Sequence, residues 1–394
     1  MERDTNAWSG PVPGRQTRRV TDRSWRVVRA PEPPADLDHP DAWALHAFSD
    51  VEREREAAVW GWTDQWAPPW VMHGVVRHQE YDRKQMLLVV RASHPQDVPP
   101  QPADVVGVAL VVVGREANTH LLWAGPLAVR PAHAHDGVLD VLLAGIEEEA
   151  AALGCTTVVY TAPHAPEPPA GPGALEPRTG AGRVPVDSPE AVASLERGYA
   201  LEQVGRHSTL YLPVPSPVLD RLGDDAAAAA GDTYRIVTWR DEIPEERLDD
   251  LARLWTRMST DVPLGDVDYD EDPWDADRVR SHLADLAGRQ QHVLIAVAEH
   301  VASGELVAFT VLQVPFPEVP FGFQEDTLVL REHRGHRLGM LVKVANLRAL
   351  AAWRPGVARI HTWNAQENAH MLAINVALGF VADGVAAVWQ KHLA

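Results

Sequence analysis

The sequence predicts an α+β fold built as two related domains, each a mixed, mainly antiparallel sheet flanked by helices. Three observations predict it. Short apolar segments recur in the same order on either side of a Pro- and Ala-rich stretch near the middle of the 394-residue chain, the mark of an internal duplication. Within each copy, strand-like alternation gives way to helical spacing and back, in the order strand, helices, several strands, helix, strand, helix, strand. Hydrophobic residues make up 45% and charged residues 23%, ordinary globular usage that allows each copy its own core.

Taken in order, residues 1–23 mix Arg, Asp, Ser, Gly and Pro without periodicity and read as a disordered arm. The first domain spans 24–212 and opens on Trp25-Arg26-Val27-Val28; the second spans 233–394 and opens on Tyr234-Arg235-Ile236-Val237. The strand Gln85–Val90, with the next at Val105–Val113, is echoed by Gln291–Ala296 and Glu305–Val314. Leu195-Glu196-Arg197-Gly198-Tyr199 is echoed by Ala377-Leu378-Gly379-Phe380, each ahead of a short strand. The Pro- and Gly-dense stretch Pro163–Ser188 reads as a surface loop, and 213–232 as an irregular interdomain linker. The second copy is the clearer: a strand at 328–330, a helix at 339–353, a strand at 359–363 and a helix at 369–378. Strand, crossover helix and strand imply a parallel pair with a right-handed connection.

The formal charge is -19, from 36 basic and 55 acidic residues, so nucleic acid and anionic membrane are expected to be repelled and a cationic small molecule attracted. Acidity of this size also serves plain solubility. No apolar run spans a bilayer and the amino terminus lacks an apolar export segment, so a cytoplasmic protein is expected. The lone Cys155 forms no internal disulfide and, in an apolar strand entry, reads as buried filler. No His-Glu-x-x-His or paired-Cys spacing and no G-x-S-x-G elbow occurs, so neither a metal nor a Ser nucleophile is expected.

One segment carries chemistry. Leu328-Val329-Leu330 leads through Arg331-Glu332-His333 into Arg334-Gly335-His336-Arg337-Leu338-Gly339-Met340, a basic, glycine-bearing turn between a strand and a helix start. Free N–H groups at a helix start, with the positive end of its dipole, suit a pyrophosphate. Arg334, His336, Arg337 and Lys343 add basic character. The turn is neither a Walker loop nor the G-x-G-x-x-G dinucleotide fingerprint.

Arg334-x-x-Arg337-x-Gly339 after a strand resembles the acetyl-CoA pyrophosphate loop of the Gcn5-related N-acetyltransferases (GNAT), Gln/Arg-x-x-Gly-x-Gly/Ala, with Arg337 in place of the usual middle glycine. Asn368, followed by a helix and Leu378-Gly379-Phe380, resembles the family's closing motif. The resemblance implies a tandem GNAT protein that uses acetyl-CoA as acyl donor and a small amine as acceptor, as monomer or homodimer. It implies donor contacts from Leu328, Val329, Leu330, the loop 334–340 and Asn368, the last also a good helix cap. It implies that backbone N–H groups around 328–330 polarise the thioester, and that Glu325 or Asp326 acts as base. Alternation lets only one of the two face the cleft, and Glu325 is preferred.

By the same resemblance the acidic stretch from Asp261 to Asp277 lines the acceptor site, with Asp261, Asp266, Tyr269 and Trp274 as contacts; a solvated acidic loop is the other reading. His361 and His370 are alternative proton carriers. Asn375 stands where the family often has an acid Tyr, so that role is not assigned. In the first copy, His133, Ala134 and Asp136 stand where the phosphate loop is expected, and Asp136 opposes a pyrophosphate, so that copy is expected to be degenerate and to wall the substrate cleft. Two further readings stay open: an acetyltransferase of the mycothiol-synthase kind, and a non-catalytic CoA sensor or partner-binding module.

Overall fold

The computed structural model describes residues 24–316 and 318–393; the arm expected at 1–23 lies outside them. The first half runs β1 (Trp25–Arg29), α1 (Trp43–Trp60), α2 (Pro69–Arg77), β2 (Asp82–Arg91), β3 (Val105–Gly114), β4 (Leu121–Val129), α3 (Val138–Leu153) and β5 (Thr157–His164). Residues 163–188, expected to be irregular, include a small hairpin, β6 (Ala174–Leu175) and β7 (Val184–Pro185). Then come α4 (Pro189–Glu196) and β8 (Ala200–Tyr211), twelve residues long where a short strand is expected.

The stretch expected as an irregular linker is largely helix α5 (Ser216–Ala230). Pro217 sits in its first turn, where a missing N–H costs nothing. Leu222 and Ala226 are buried against Val344 and Leu347 of the second half, so this segment is core rather than spacer. The second half then runs β9 (Tyr234–Arg240), α6 (Leu248–Asp261), α7 (Ala276–Gly288), β10 (Gln291–His300), β11 (Leu306–Pro315), β12 (Phe321–Val329), α8 (Leu338–Trp353), β13 (Arg359–Ala365), α9 (Ala369–Leu378) and β14 (Val381–His392).

Strand periodicity explains how one sheet carries helices on both faces. In β2, Leu87 and Val89 point to α3 (Leu142, Leu143, Ile146), while Met86, Leu88 and Val90 point to α1 (Leu45, Phe48, Val51). Each such buried side chain stabilises by roughly 2 kcal/mol, and an apolar run buried on both sides is what the unbroken Met-Leu-Leu-Val-Val sequence requires.

Among the described residues, one twelve-stranded sheet joins the halves in the order β1-β2-β3-β4-β5-β14-β8-β13-β12-β11-β10-β9. Its pairs are antiparallel except β4 with β5 and β12 with β13. The two central strands are exchanged. β14, the last strand of the chain, pairs with β5 of the first half, and β8, the last strand of the first half, pairs with β13 of the second. They also pair with each other. The division of the chain at residues 212 and 233 is therefore not a division of the sheet. Among the described residues no helix is long and apolar enough to cross a membrane.

Candidate active site

The two halves correspond element to element through their middle: β4 to β12, the single-turn helices 131–133 to 331–333, and α3 to α8. Val138 and Leu338 each open a helix, and Gly137 and Arg337 each cap it in the left-handed region at φ 74° and 53°. His133 thus matches His333, and Ala134 matches Arg334. Of the residues expected at the first copy's loop, His133, Ala134 and Asp136, the last matches His336, because the single-turn helix starts at the same place in both copies.

In both halves the parallel pair comes apart partway along. β12 and β13 pair from Phe321 with Arg359 to Gln324 with Thr362, and then diverge. At that point two residues of β12, Glu325 and Asp326, oppose the single residue Val311 of β11, which is a β-bulge that re-aims side chains. In the first half β4 and β5 pair as far as Ala124 with Tyr160, and the bulge consists of Gly125 and Pro126. The bulge is shared; the carboxylates are in the second half alone.

Beyond the bulge, the Leu330 N–H donates to the Val307 carbonyl on β11. Neighbouring residues of a strand point their backbone groups to opposite sides, so Val329 faces the opening, and its carbonyl is indeed reached by Arg334 Nε at 3.2 Å. Of the three backbone donors expected at 328–330, Leu330 is therefore committed elsewhere and Val329 is the one directed at the opening. Arg334 then leaves the helical region (ψ 158°) and Gly335 takes φ 91°. Among the described residues, none of the N–H groups of residues 335 to 340 donates to a protein acceptor. Six consecutive free donors at the start of a sixteen-residue helix form an anion-binding concavity.

The matching loop of the first half closes on itself. The Asp136 N–H donates to the His133 carbonyl, the Asp136 carboxylate meets His133 Nδ1 at 2.8 Å, and Trp25 Nε1 donates to the Asp136 carbonyl. Asp140 adds a second acid in the first turn of α3.

Asp326 Oδ2 accepts from Trp255 Nε1 of α6 at 2.9 Å, and Asp326 lines a cavity of about 480 Å³. Glu325 is not among the residues lining that cavity and is exposed at the bulge. Crowding at the bulge and the neighbouring Asp326 charge raise its carboxyl above the ordinary carboxylate range. Asp326 is raised as well, by burial, against the pull of its Trp255 hydrogen bond. The geometry turns Asp326 toward the cavity, where sequence alternation preferred Glu325.

Tyr269 and Trp274 of the connection between α6 and α7 both line the cavity. Asp261 and Asp266, expected beside them, do not. The Asp261 side chain is shielded behind the 331–337 turn, within 3.2 Å of Arg257 and 3.3 Å of Arg331, and Asp266 is bound by Arg178 of the first half. Asp268 likewise accepts from Thr157, and the Asp270 N–H donates to Asn118. The acidic connection is thus a bridge onto the first half, with aromatic residues as its cavity face. Tyr81, Asp82, Glu116 and Trp123 of the first half complete the wall; no motif marks them in sequence, since only the folded sheet brings them to Asp326.

The corresponding connection of the first half, residues 61–68, packs against the second half. Trp62 lies against His361 and Trp60 against His207, the rings tilted, with centroids 4.6 Å apart in each case. His361, expected as a proton carrier, is buried with Nε2 2.8 Å from Asp64 and Nδ1 3.2 Å from Thr209. His370 is exposed on α9. Asn368 caps α9 by accepting from the Met371 N–H, and buried Asn375 donates to Asn364. Lys343, expected to strengthen the loop, is buried under the Phe380 ring, and burial pulls its ammonium down to about 7. Cys155 is buried. Among the described residues no His, Cys, Asp or Glu cluster is arranged to hold a metal ion.

No protein-family model and no curated protein matches the sequence. Solved structures do match the fold. A tandem GNAT protein from the clavulanic acid biosynthesis pathway superimposes with a TM-score of 0.66 at 23% identity, over 93% of this chain and 98% of that one. A GCN5-related N-acetyltransferase from Sphaerobacter thermophilus matches at 0.56 and 15%, over 94% and 96%. A putative acetyltransferase from Pyrococcus horikoshii matches at 0.53 and 10%, over 96% and 93%. With the order of strands, the two divergent parallel pairs and the repeated strand–turn–helix, these likenesses identify the chain as a tandem protein of the GNAT fold.

Proposed function

We propose that the protein is an acyl-CoA-dependent N-acetyltransferase in which the second half binds acetyl-CoA and the first half walls the acceptor cavity. The observation that carries this reading is the run of free N–H groups from 335 to 340, at the mouth of the opening between β12 and β13. Arg334 and Arg337, both exposed, put positive charge around it, and exposed His336 adds a ring donor, so the residues present fit a pyrophosphate. The donor would supply an activated acetyl thioester.

The chain's own residues do the rest. Val329 N–H stands ready as a donor to oxyanion charge on the acyl carbonyl. A carboxylate with a raised pKa at the bulge takes the proton that the attacking ammonium must lose, and a base poised near neutral pH is well matched to that task. Asn375 supplies no titratable proton, and a thiolate leaves without one. The acceptor is proposed to be a primary amine on a small cationic molecule: five aromatic residues line the cavity (Tyr81, Trp123, Trp255, Tyr269, Trp274), and its carboxylates Asp82, Glu116, Asp272 and Asp326 outnumber its one cation, Arg278. Calorimetric titration with acetyl-CoA, followed by thiol release with a panel of amines, tests the reading. Micromolar-range binding with amine-dependent thiol release is expected; no binding overturns it, and binding without release leaves a CoA sensor.

A further inference from the structure

The acceptor cavity has two ends, and the sheet order separates them. Its floor runs from Asp326 on β12, past Gln203 on β8 and Val388 on β14, to Trp123 on β4 and Val112 on β3. Neighbouring strands lie about 4.8 Å apart, so the far end is several strands away from the bulge. That end belongs to the first half. Asp82 pairs with Gly114 in the β2–β3 ladder, which sets it beside the hairpin residue Glu116.

The far end is negative and only partly neutralised. The Tyr81 phenol there is pushed up by burial and by the surrounding charges of Glu80, Asp275, Asp277 and Glu116. The cations nearby each have partners of their own: Arg289, whose charge acts on Asp82, donates to Asp285, and Arg115 donates to the Gln79 carbonyl. Lys84 Nζ lies 3.8 Å from Asp82 and donates to the His78 carbonyl. Arg278 makes two hydrogen bonds to Asp272, at 2.7 and 2.9 Å, with its guanidinium 4.4 Å from the Trp274 ring and 5.3 Å from the Tyr81 ring. Glu116 is exposed and has no ion-pair partner among the described residues. Between the ends lie the aromatic rings of Trp255, Trp274, Tyr269 and Trp123, with the Arg278–Asp272 ion pair against Trp274.

We propose that the acceptor is an extended molecule with two cationic groups, its reacting amine at Asp326 and its second ammonium or guanidinium at Glu116 and Asp82. Its apolar middle lies along the aromatic wall. The first half, which lacks a donor site, then has a recognition role of its own: it measures the acceptor's length and reads its far charge. The inference rests on the acetyltransferase reading for the reacting end alone.

The test compares diaminooctane with octylamine on the full chain, as wild type and as Glu116→Gln, by kcat/KM for thiol release and by calorimetric binding with acetyl-CoA present. Glu116 is exposed on a hairpin, so the variant is expected to fold, which circular dichroism verifies. The wild type is expected to favour the diamine by on the order of tenfold, a partly screened charge pair, and Glu116→Gln to bring that ratio close to one. A diamine preference that Glu116→Gln and Asp82→Asn both leave in place, or no preference in the wild type, overturns the proposal. If no amine is acetylated but diamine binding is still weakened selectively by Glu116→Gln, the acetyltransferase reading fails and the subsite stands.

Discussion

The loop after β12 and the loop after β4 share a backbone plan and differ in charge and closure. Both follow a bulged strand, both make a single helical turn, and both enter a sixteen-residue helix from a left-handed residue. In the second half the turn is held open: six N–H groups are free and Arg331, Arg334 and Arg337 surround them. In the first half Asp136 fills the turn with its own carboxylate, and Gly125 and Pro126 stand where Glu325 and Asp326 stand. The same backbone plan thus leaves the turn's donors free or fills the turn through a handful of side chains.

That contrast can be broken at several points. Gly335→Asp places an acid and a strained left-handed side chain in the open loop, and is expected to weaken acetyl-CoA binding by at least hundredfold, about 3 kcal/mol. His135→Asp, at the matching position of the closed loop, is expected to leave the calorimetric affinity as it is. Converting both Glu325 and Asp326 to amides is expected to lower kcat by on the order of a hundredfold or more, with acetyl-CoA affinity retained.

The pH profile sharpens the same point. Because the active base is the ionised form, kcat/KM is expected to rise with pH along a limb set by Asp326, which burial holds above the ordinary carboxylate range. Asp326→Asn removes that base, so the limb is expected to disappear together with most of the activity. A limb that survives Asp326→Asn unchanged would show that Asp326 is not the group observed.

Lys343 of α8 is matched in α3 by Leu143, fully buried in its core. A folded-state ammonium pulled down to about 7 from 10.5 means that the charged form is disfavoured by folding. The cost is fully present below pH 7 and fades as the pH rises toward 10.5. Lys343→Leu is therefore expected to stabilise by about 3 kcal/mol at pH 6, read by denaturant unfolding, with the gain shrinking in alkaline buffer. The smallest effect is expected for Arg337→Gly, which relieves a left-handed arginine at roughly 1 kcal/mol and loses the ion pair to Asp225, half exposed at 3.8 Å. Its melting temperature should rise by a few degrees or stay level.

Much of this was legible in the residues because it is local. The duplication, the basic turn and the ends of α9 follow from spacing, capping and glycine placement, and α9 spans Ala369–Leu378 as its Asn368 cap and Gly379 stop predict. What was not legible is non-local. Pairing of β14 with β5 is decided by which sheet edges remain open after folding, and no pattern in either strand announces it. Asp261 and Tyr269 look alike as members of one acidic stretch, yet one packs behind the basic turn and the other faces the cavity, since the partner of each is on a different element. The Pro cluster at 213–217 masked α5, although Leu219, Leu222 and Ala226 already carry a helical spacing.

The exchanged central strands also order events in time. A ribosome releases the first half long before β14 exists, so β5 and β8 must wait with an open slot between them until residues 381–392 emerge. During that wait the first half exposes unpaired strand edges, a hazard for association with other chains. Removal of β14 is accordingly expected to cripple both halves rather than trim one, which limited proteolysis of a chain ending at Gly379 would reveal as loss of protection in residues 24–212 as well.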